Sequence, residues 1–286
     1  MTSLLTPATA RLKAAASGCS LARIALGFAT VLPMVAAAST PQVPPPARAD
    51  LAPTGKPRAG INYGNVILAR KDPATGESSG VAIDLVRELA KRLGVAVEIV
   101  AYDSVGAMVD GAKAGAWDIA FLGSDPARAA EITFTPAYVE LEATYLVGAA
   151  SPLRAAADVD REGVRVAAPA RANYELYLSR ALTRAQLVRA QDAAAAFDLL
   201  ASGKVEALAG LTQALIGLSA KLPGSRLLDG RFMAVQQSVG VPKGRDAGAQ
   251  YLRGFVEEAT ASGLVAQAIQ KTGGAGVSVA PKAPAQ

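Results

Sequence analysis

The sequence predicts an α/β fold in which mostly parallel sheets are flanked by helices. Two observations carry that expectation. At 286 residues with 51% apolar side chains, the chain has core material for one large domain or two ordinary ones. From residue 58 onward, short extended runs alternate with stretches of helical periodicity, the pattern of strands joined through helices. Histidine is absent, which takes away the commonest general base and metal ligand. Hydrolytic triads, zinc sites and a resident metal are therefore not expected. The single cysteine, Cys19, has no partner for an intrachain disulfide.

Taken in order, the chain begins with Arg11, Lys13 and Arg23, and no acid precedes Ala38. The apolar run Ile24–Val35 closes on Ala36-Ala37-Ala38. A basic flank, a short apolar stretch and a small-residue end describe a secretory signal peptide over residues 1–38, and the run is too short to span a bilayer comfortably. The signal also explains the charge. The formal net is +5 from 29 basic and 24 acidic residues; without the three leading cations it is 26 − 24 = +2. A nearly balanced surface gives no reason to expect nucleic acid as a partner.

Residues 39–57, rich in Pro and Ala, read as a disordered, extended linker, and 273–286 as a disordered tail. Between them, Arg58–Asn62 is a strand candidate. Val81–Leu93 carries apolar residues at 81, 83, 85, 86, 89, 90 and 93, an amphipathic helix stopped by Gly94. Val95–Ala101 reads as a strand, Val105–Ala114 as a helix and Trp117–Leu122 as a strand. A second series gives strands at 164–168, 187–189 and 205–209, with helices at 173–182, 193–201 and 212–222. Val235–Val241 is extended, and 246–272 makes one or two closing helices. In such sheets ligands gather beyond the carboxyl ends of the strands. Arg128, in GSDPARAAEITFTPAY (123–138), stands just past one of those ends.

Four segments in fixed order, GVAIDLVRELAKRLGVAVEIV, MVDGAKAGAWDIAFLG, DPARAAEITFTPAY and VGVPKGRDAGAQYLRGFVEEATASG, resemble the periplasmic solute-binding proteins of family 3, the polar amino-acid receptors of ABC importers. The resemblance covers about residues 58–272. It implies a two-lobed flytrap: lobe 1 of 58–145 plus 240–272, lobe 2 of 146–239, and crossings near 144–148 and 235–241. It further implies a monomer in the periplasm that closes on a small-molecule ligand, serves an inner-membrane ABC permease, needs no cofactor or metal and catalyses nothing.

The resemblance also places site residues. Arg128 holds the position that pairs with a ligand carboxylate, a task suited to a planar, permanently charged guanidinium; the alternative is a surface pair with Glu131. Asn62 and Tyr63 end the first strand, as ligand contacts or as a turn cap and a half-buried wall. Phe121, Gly123 and Ser124 occupy the segment that supplies backbone and a hydroxyl, with Gly123 where the hydroxyl usually stands. Asp125 caps the turn opened by Pro126. Arg171 and Asn173 lie in the loop offering N–H groups at a helix N-terminus, Arg171 facing either cleft or solvent. Leu211 stands where an aspartate holds the ammonium of amino-acid ligands. Glu142 is the candidate substitute or a plain surface acid, and Thr212 offers a neutral hydrogen bond. Two rival readings stay open: a dehydratase-like enzyme on the same fold, with Glu142 as general acid, and a receptor that senses without transport.

Overall fold

The computed structural model describes residues 43–282. The signal-peptide assignment, the first residues of the expected linker and the last four of the expected tail lie outside the described residues.

Helix α1 (Pro45–Leu51) opens the described chain. It is followed by β1 (Arg58–Asn62), a small hairpin of β2 (Arg70–Lys71) and β3 (Ser78–Ser79), α2 (Val81–Leu93), β4 (Glu98–Tyr102), α3 (Val105–Lys113) and β5 (Ile119–Gly123). The long β6 (Ile132–Val147) leads out of this half. The second half holds β7 (Arg165–Pro169), α4 (Asn173–Ala181), β8 (Gln186–Ala190), α5 (Ala193–Ala201), β9 (Ala207–Leu211), α6 (Thr212–Ser219) and β10 (Arg226–Leu227). The return strand is β11 (Met233–Pro242), and α7 (Asp246–Ala261), α8 (Leu264–Thr272) and β12 (Val277–Val279) complete the fold.

One sheet runs in the order β4-β1-β5-β11-β6-β9-β7-β8, with β10 and β12 also paired to β6. Strands β4, β1 and β5 are parallel, as are β9, β7 and β8, whereas β11 and β6 are antiparallel to their neighbours. Each half is thus a parallel α/β unit, and the two long antiparallel strands tie them together. The core changes hands along β6: Ala143 packs with the first half and Tyr145 with the second. On the return, Val235 and Val239 already belong to the first core, earlier than the 239/240 boundary drawn from sequence.

Helix α2 follows from its pattern. Val81, Leu85, Leu89 and the neighbouring apolar positions are buried, and Gly94 ends the helix in the left-handed conformation. Gly80, at φ 134°, could carry no side chain, because a Cβ there would stand 2.7 Å from the Leu68 carbonyl carbon. In the second half, Asp192 accepts from Ala195 N at 2.8 Å and caps α5.

Two regions differ from the sequence expectation. Residues 45–51 are helical, not extended. Proline suits the first turn, and Ala47 and Leu51, four apart, bury against the first core. The segment after α8 is ordered through β12, which pairs with Val139–Leu141 of β6 on the edge opposite β11. Pairing with a strand so far away in sequence leaves no local mark in a Gly- and Ala-rich stretch. Among the described residues, no helix is long and apolar enough to cross a membrane.

Candidate ligand cleft

A cleft of ≈ 330 Å³ lies between the halves, within the range of small-molecule sites. Its floor is the end of β5 beside the crossing strand β11, and its far wall is the loop from β7 into α4. Strand β5 is buried throughout, so Phe121 and Gly123, two apart, present one face. Gly123 is there for space: a Cβ would stand 2.6 Å from both Cγ and Nδ2 of Asn173. Asn173 opens α4 and reaches back across the cleft, donating from Nδ2 to Ser124 O at 3.1 Å.

Arg128 sits directly behind this wall, 4% exposed, at the end of a turn in which Asp125 accepts from Ala127 N. Its Nη1 donates to Gly123 O at 2.7 Å and to Asn173 Oδ1 at 2.6 Å, and its Nη2 to Arg171 O at 2.8 Å. All three acceptors are neutral. Among the described residues, no carboxylate forms an ion pair with Arg128, although Asp125 lies near enough to favour its charge. Burial, with the Arg171 cation adding to it, pushes the guanidinium down to about 10. Glu131, the alternative partner, instead approaches Lys113 at 3.6 Å.

Among the described residues, Arg171 is the non-glycine residue at positive φ, 66°. That backbone turns its carbonyl toward Arg128 and its N–H toward Glu175 Oε2 at 2.9 Å. Its side chain meets Asp110 on α3 through two bonds of 2.7 and 2.9 Å. The hydrogen bond from Arg171, ahead of the cation's field, holds the Asp110 carboxyl below its usual range. Nearby, Arg180 of α4 pairs with Asp125 at 3.0 Å. Four sets of polar contacts therefore bridge the two halves around the mouth: Arg128 with Asn173 and Arg171 O, Asn173 with Ser124, Arg171 with Asp110, and Arg180 with Asp125.

Of the residues singled out from sequence, Asn62, Phe121, Gly123, Arg171 and Asn173 line the cleft. Asn62 also caps its own turn, accepting from Gly64 N at 2.9 Å. The others stand elsewhere. Tyr63 is turned to the hairpin, its hydroxyl 2.7 Å from Ser78 Oγ and its ring under Lys71. Ser124 directs its hydroxyl to Gln236 O at 3.4 Å. Glu142 pairs with Arg231 at 2.7 Å, and its N–H donates to Gly276 O at 2.8 Å. Thr212 packs on that same glycine, so a Cβ on Gly276 would meet its Cβ at 2.9 Å. The β12 segment thus packs on both residues, and neither Glu142 nor Thr212 lines the cleft, so Glu142 does not stand in for the missing aspartate.

Leu211 does line the cleft, with no acid in its place. The carboxylates at its rim are Asp103 and Asp192, both exposed, the latter engaged as the α5 cap. Sequence reasoning missed Gln237 on β11, which is 3% exposed and lines the floor. Its Oε1 is buried without a partner among the described residues. The only signal was a polar residue alternating with Val235 and Val239 in a strand otherwise apolar on that face.

The comparisons agree with this architecture. No curated protein sequence matches this one. Among solved structures, an amino acid ABC transporter substrate-binding protein of Streptococcus pneumoniae, bound to L-arginine, aligns with TM-score 0.66 at 18% identity, covering 78% of this chain and 96% of that one. An ancestral amino acid-binding protein, described as a precursor of cyclohexadienyl dehydratase, gives TM-score 0.64 at 22% identity over 78% and 96%. A histidine kinase sensor domain with similarity to periplasmic binding proteins gives 0.65 at 19% over 76% and 95%. At such identities the likeness speaks for the two-lobed fold alone. The sequence itself, over residues 69–275, matches the family model described as bacterial extracellular solute-binding proteins, family 3, and a match over most of the length that builds both halves and the cleft between them means that the chain belongs to that family.

Proposed function

We propose that the protein captures a small carboxylate-bearing solute, an amino acid or a related acid, between its halves and delivers it to an inner-membrane ABC permease. In this reading it works as a monomer in the periplasm once residues 1–38 are removed, and it makes and breaks no bond. The observation that carries the reading is the buried charge of Arg128. Behind the wall formed by Gly123 and Asn173 the guanidinium has only neutral hydrogen-bond acceptors, with the Asp125 carboxylate near but making no ion pair with it, and a desolvated cation strongly favours an anion beside it.

Closure and recognition are then one event. The contacts of Arg128, Asn173, Arg171 and Arg180 already join the two halves, so a solute held between the walls adds its own bonds to a joined mouth that excludes water. The closed shape is what a permease would read. The amino-acid-binding relative supports transport; the kinase sensor domain shows the same fold in a sensory setting, and the dehydratase precursor shows it beside chemistry.

Calorimetric titration against a panel of small carboxylates tests the proposal. Truncating one partner of a buried charged contact costs about 2–5 kcal/mol, so Arg128→Met should weaken a bound carboxylate by roughly 30-fold or more. Unchanged affinity would refute the assignment. Mass spectrometry of the recovered solute should find it chemically intact, and a product would move the protein to the enzymes.

A further inference from the structure

We propose that Gln237 reads an uncharged hydrogen-bonding group of the solute, so that the cleft favours carboxylates bearing a hydroxyl next to the acid over those bearing an ammonium. The inference rests on the carboxylate reading above and specifies its substrate class.

Gln237 sits on the crossing strand opposite Gly123 in the β11–β5 pairing. Gly123 O is also an acceptor of Arg128, and Gly123 is the residue against which Asn173 packs. The amide of Gln237 therefore belongs to the same patch of floor as the anion wall, a few ångströms being the reach of one side chain. Its Oε1 is buried and has no partner among the described residues, on a side chain 3% exposed. Buried polar atoms in folded proteins are paired as a rule, and leaving one unpaired is costly. A side chain kept at such cost in a ligand cleft is explained when a ligand group completes it.

The chemistry of that group follows from its surroundings. An amide offers an acceptor and two donors, which matches a hydroxyl that can also give and take. An ammonium needs a counter-charge once water is removed. The floor around Gln237 supplies Phe121, Leu211 and Val235, with no acid among them. Behind the wall stand the cations Arg128 and Arg171, the acids there, Asp110, Asp125 and Glu175, are each paired with an arginine, and the rim acids Asp103 and Asp192 remain in solvent. A neutral amide on an apolar floor next to a cation suits a hydroxy acid and penalises its amino analogue.

The test uses two matched series on the mature full-length chain: propanoate, L-lactate and L-alanine, and succinate, L-malate and L-aspartate. In at least one series the hydroxy acid should bind tenfold or more tightly than both companions. Gln237→Leu should bring the hydroxy acid down to the level of the unsubstituted acid, whose own affinity stays within about twofold. Because it removes an unpaired buried group, the same variant should melt, without ligand, no lower than the parent. Equal binding of all three acids, tighter binding of the amino acid, or a lower melting temperature of the leucine variant would each overturn the role of Gln237. If no acid of either series binds, the carboxylate reading fails and takes this proposal with it. If the acids bind alike and Arg128→Met abolishes them all, only the role of Gln237 is lost.

Discussion

Replacing Gly123 with alanine puts the cross-cleft network under a defined load. The backbone there is not in the left-handed region, so alanine itself is unstrained, but its Cβ would stand 2.6 Å from Cγ and Nδ2 of Asn173. The amide has to leave. It takes with it the 2.6 Å bond from Arg128 Nη1 and the 3.1 Å bond to Ser124 O. A bond to a charged group is worth roughly 1.5–3 kcal/mol and a neutral one about 1. Alanine returns about 0.5–1 kcal/mol through a less free unfolded chain, leaving a net loss of about 2–3 kcal/mol. At about 2–4 °C per kcal/mol for a domain of this size, the melting temperature should fall by about 4–12 °C. Calorimetric melts of Gly123→Ala, Asn173→Ala and the double variant form the decisive set. If displacement of the Asn173 amide is the cause, the glycine substitution costs nothing once residue 173 is already alanine. An equal loss in both backgrounds would refute the account.

Two further outcomes follow from buried polar groups. Asp118 is fully buried and accepts from Arg58 N, Nε and Nη2 and from Arg245 Nη1 at 2.9–3.0 Å; Asp118→Asn should cost about 3–5 kcal/mol in denaturant titrations, because two guanidinium groups lose their carboxylate. Burial alone would raise the Asp118 carboxyl, yet the hydrogen bonds from both arginines bring it below its usual range, so its contribution is complete above about pH 4, is lost as pH falls through the lowered value, and should vanish from the acid limb of the asparagine variant. Tyr138 has a buried hydroxyl, without a partner among the described residues, that burial raises far above the usual phenol range. Its folded form keeps the proton above pH 10 while the unfolded form loses it, so stability drains away as pH rises past about 10; Tyr138→Phe should melt no lower at pH 7 and shift the alkaline unfolding midpoint upward.

How far the sequence could be read differed with the range of the interactions involved. Helix α2 and strand β1 were legible to the residue, because local periodicity and the glycine after Leu93 define them. Arg128 drew attention by its position, but that it is buried behind the cleft wall and bonded to Asn173 and Arg171 O, 43–45 residues away, leaves no local trace. Glu142 and Thr212 looked available because their cover, the segment at Gly276, lies far along the chain in a stretch whose composition suggests disorder. Helix α1 was hidden for the same compositional reason, since Pro and Ala mask the buried pair Ala47 and Leu51. Gln237 escaped notice because nothing in a strand pattern tells a paired amide from an unpaired one.

The β12 segment alters what motion between the halves involves. At Val139–Leu141 the outgoing strand is flanked on one edge by β11 and on the other by β12, while Gly274 and Gly276 rest on Gln213 and Thr212 of α6 in the second half. The bending element is accordingly a three-ply ribbon with its outer ply braced on both sides of the bend. To gape, the protein must twist all three plies together or peel the outermost away, so the stiffness of its spring is set in part by a segment, 273–279, that does not line the cleft.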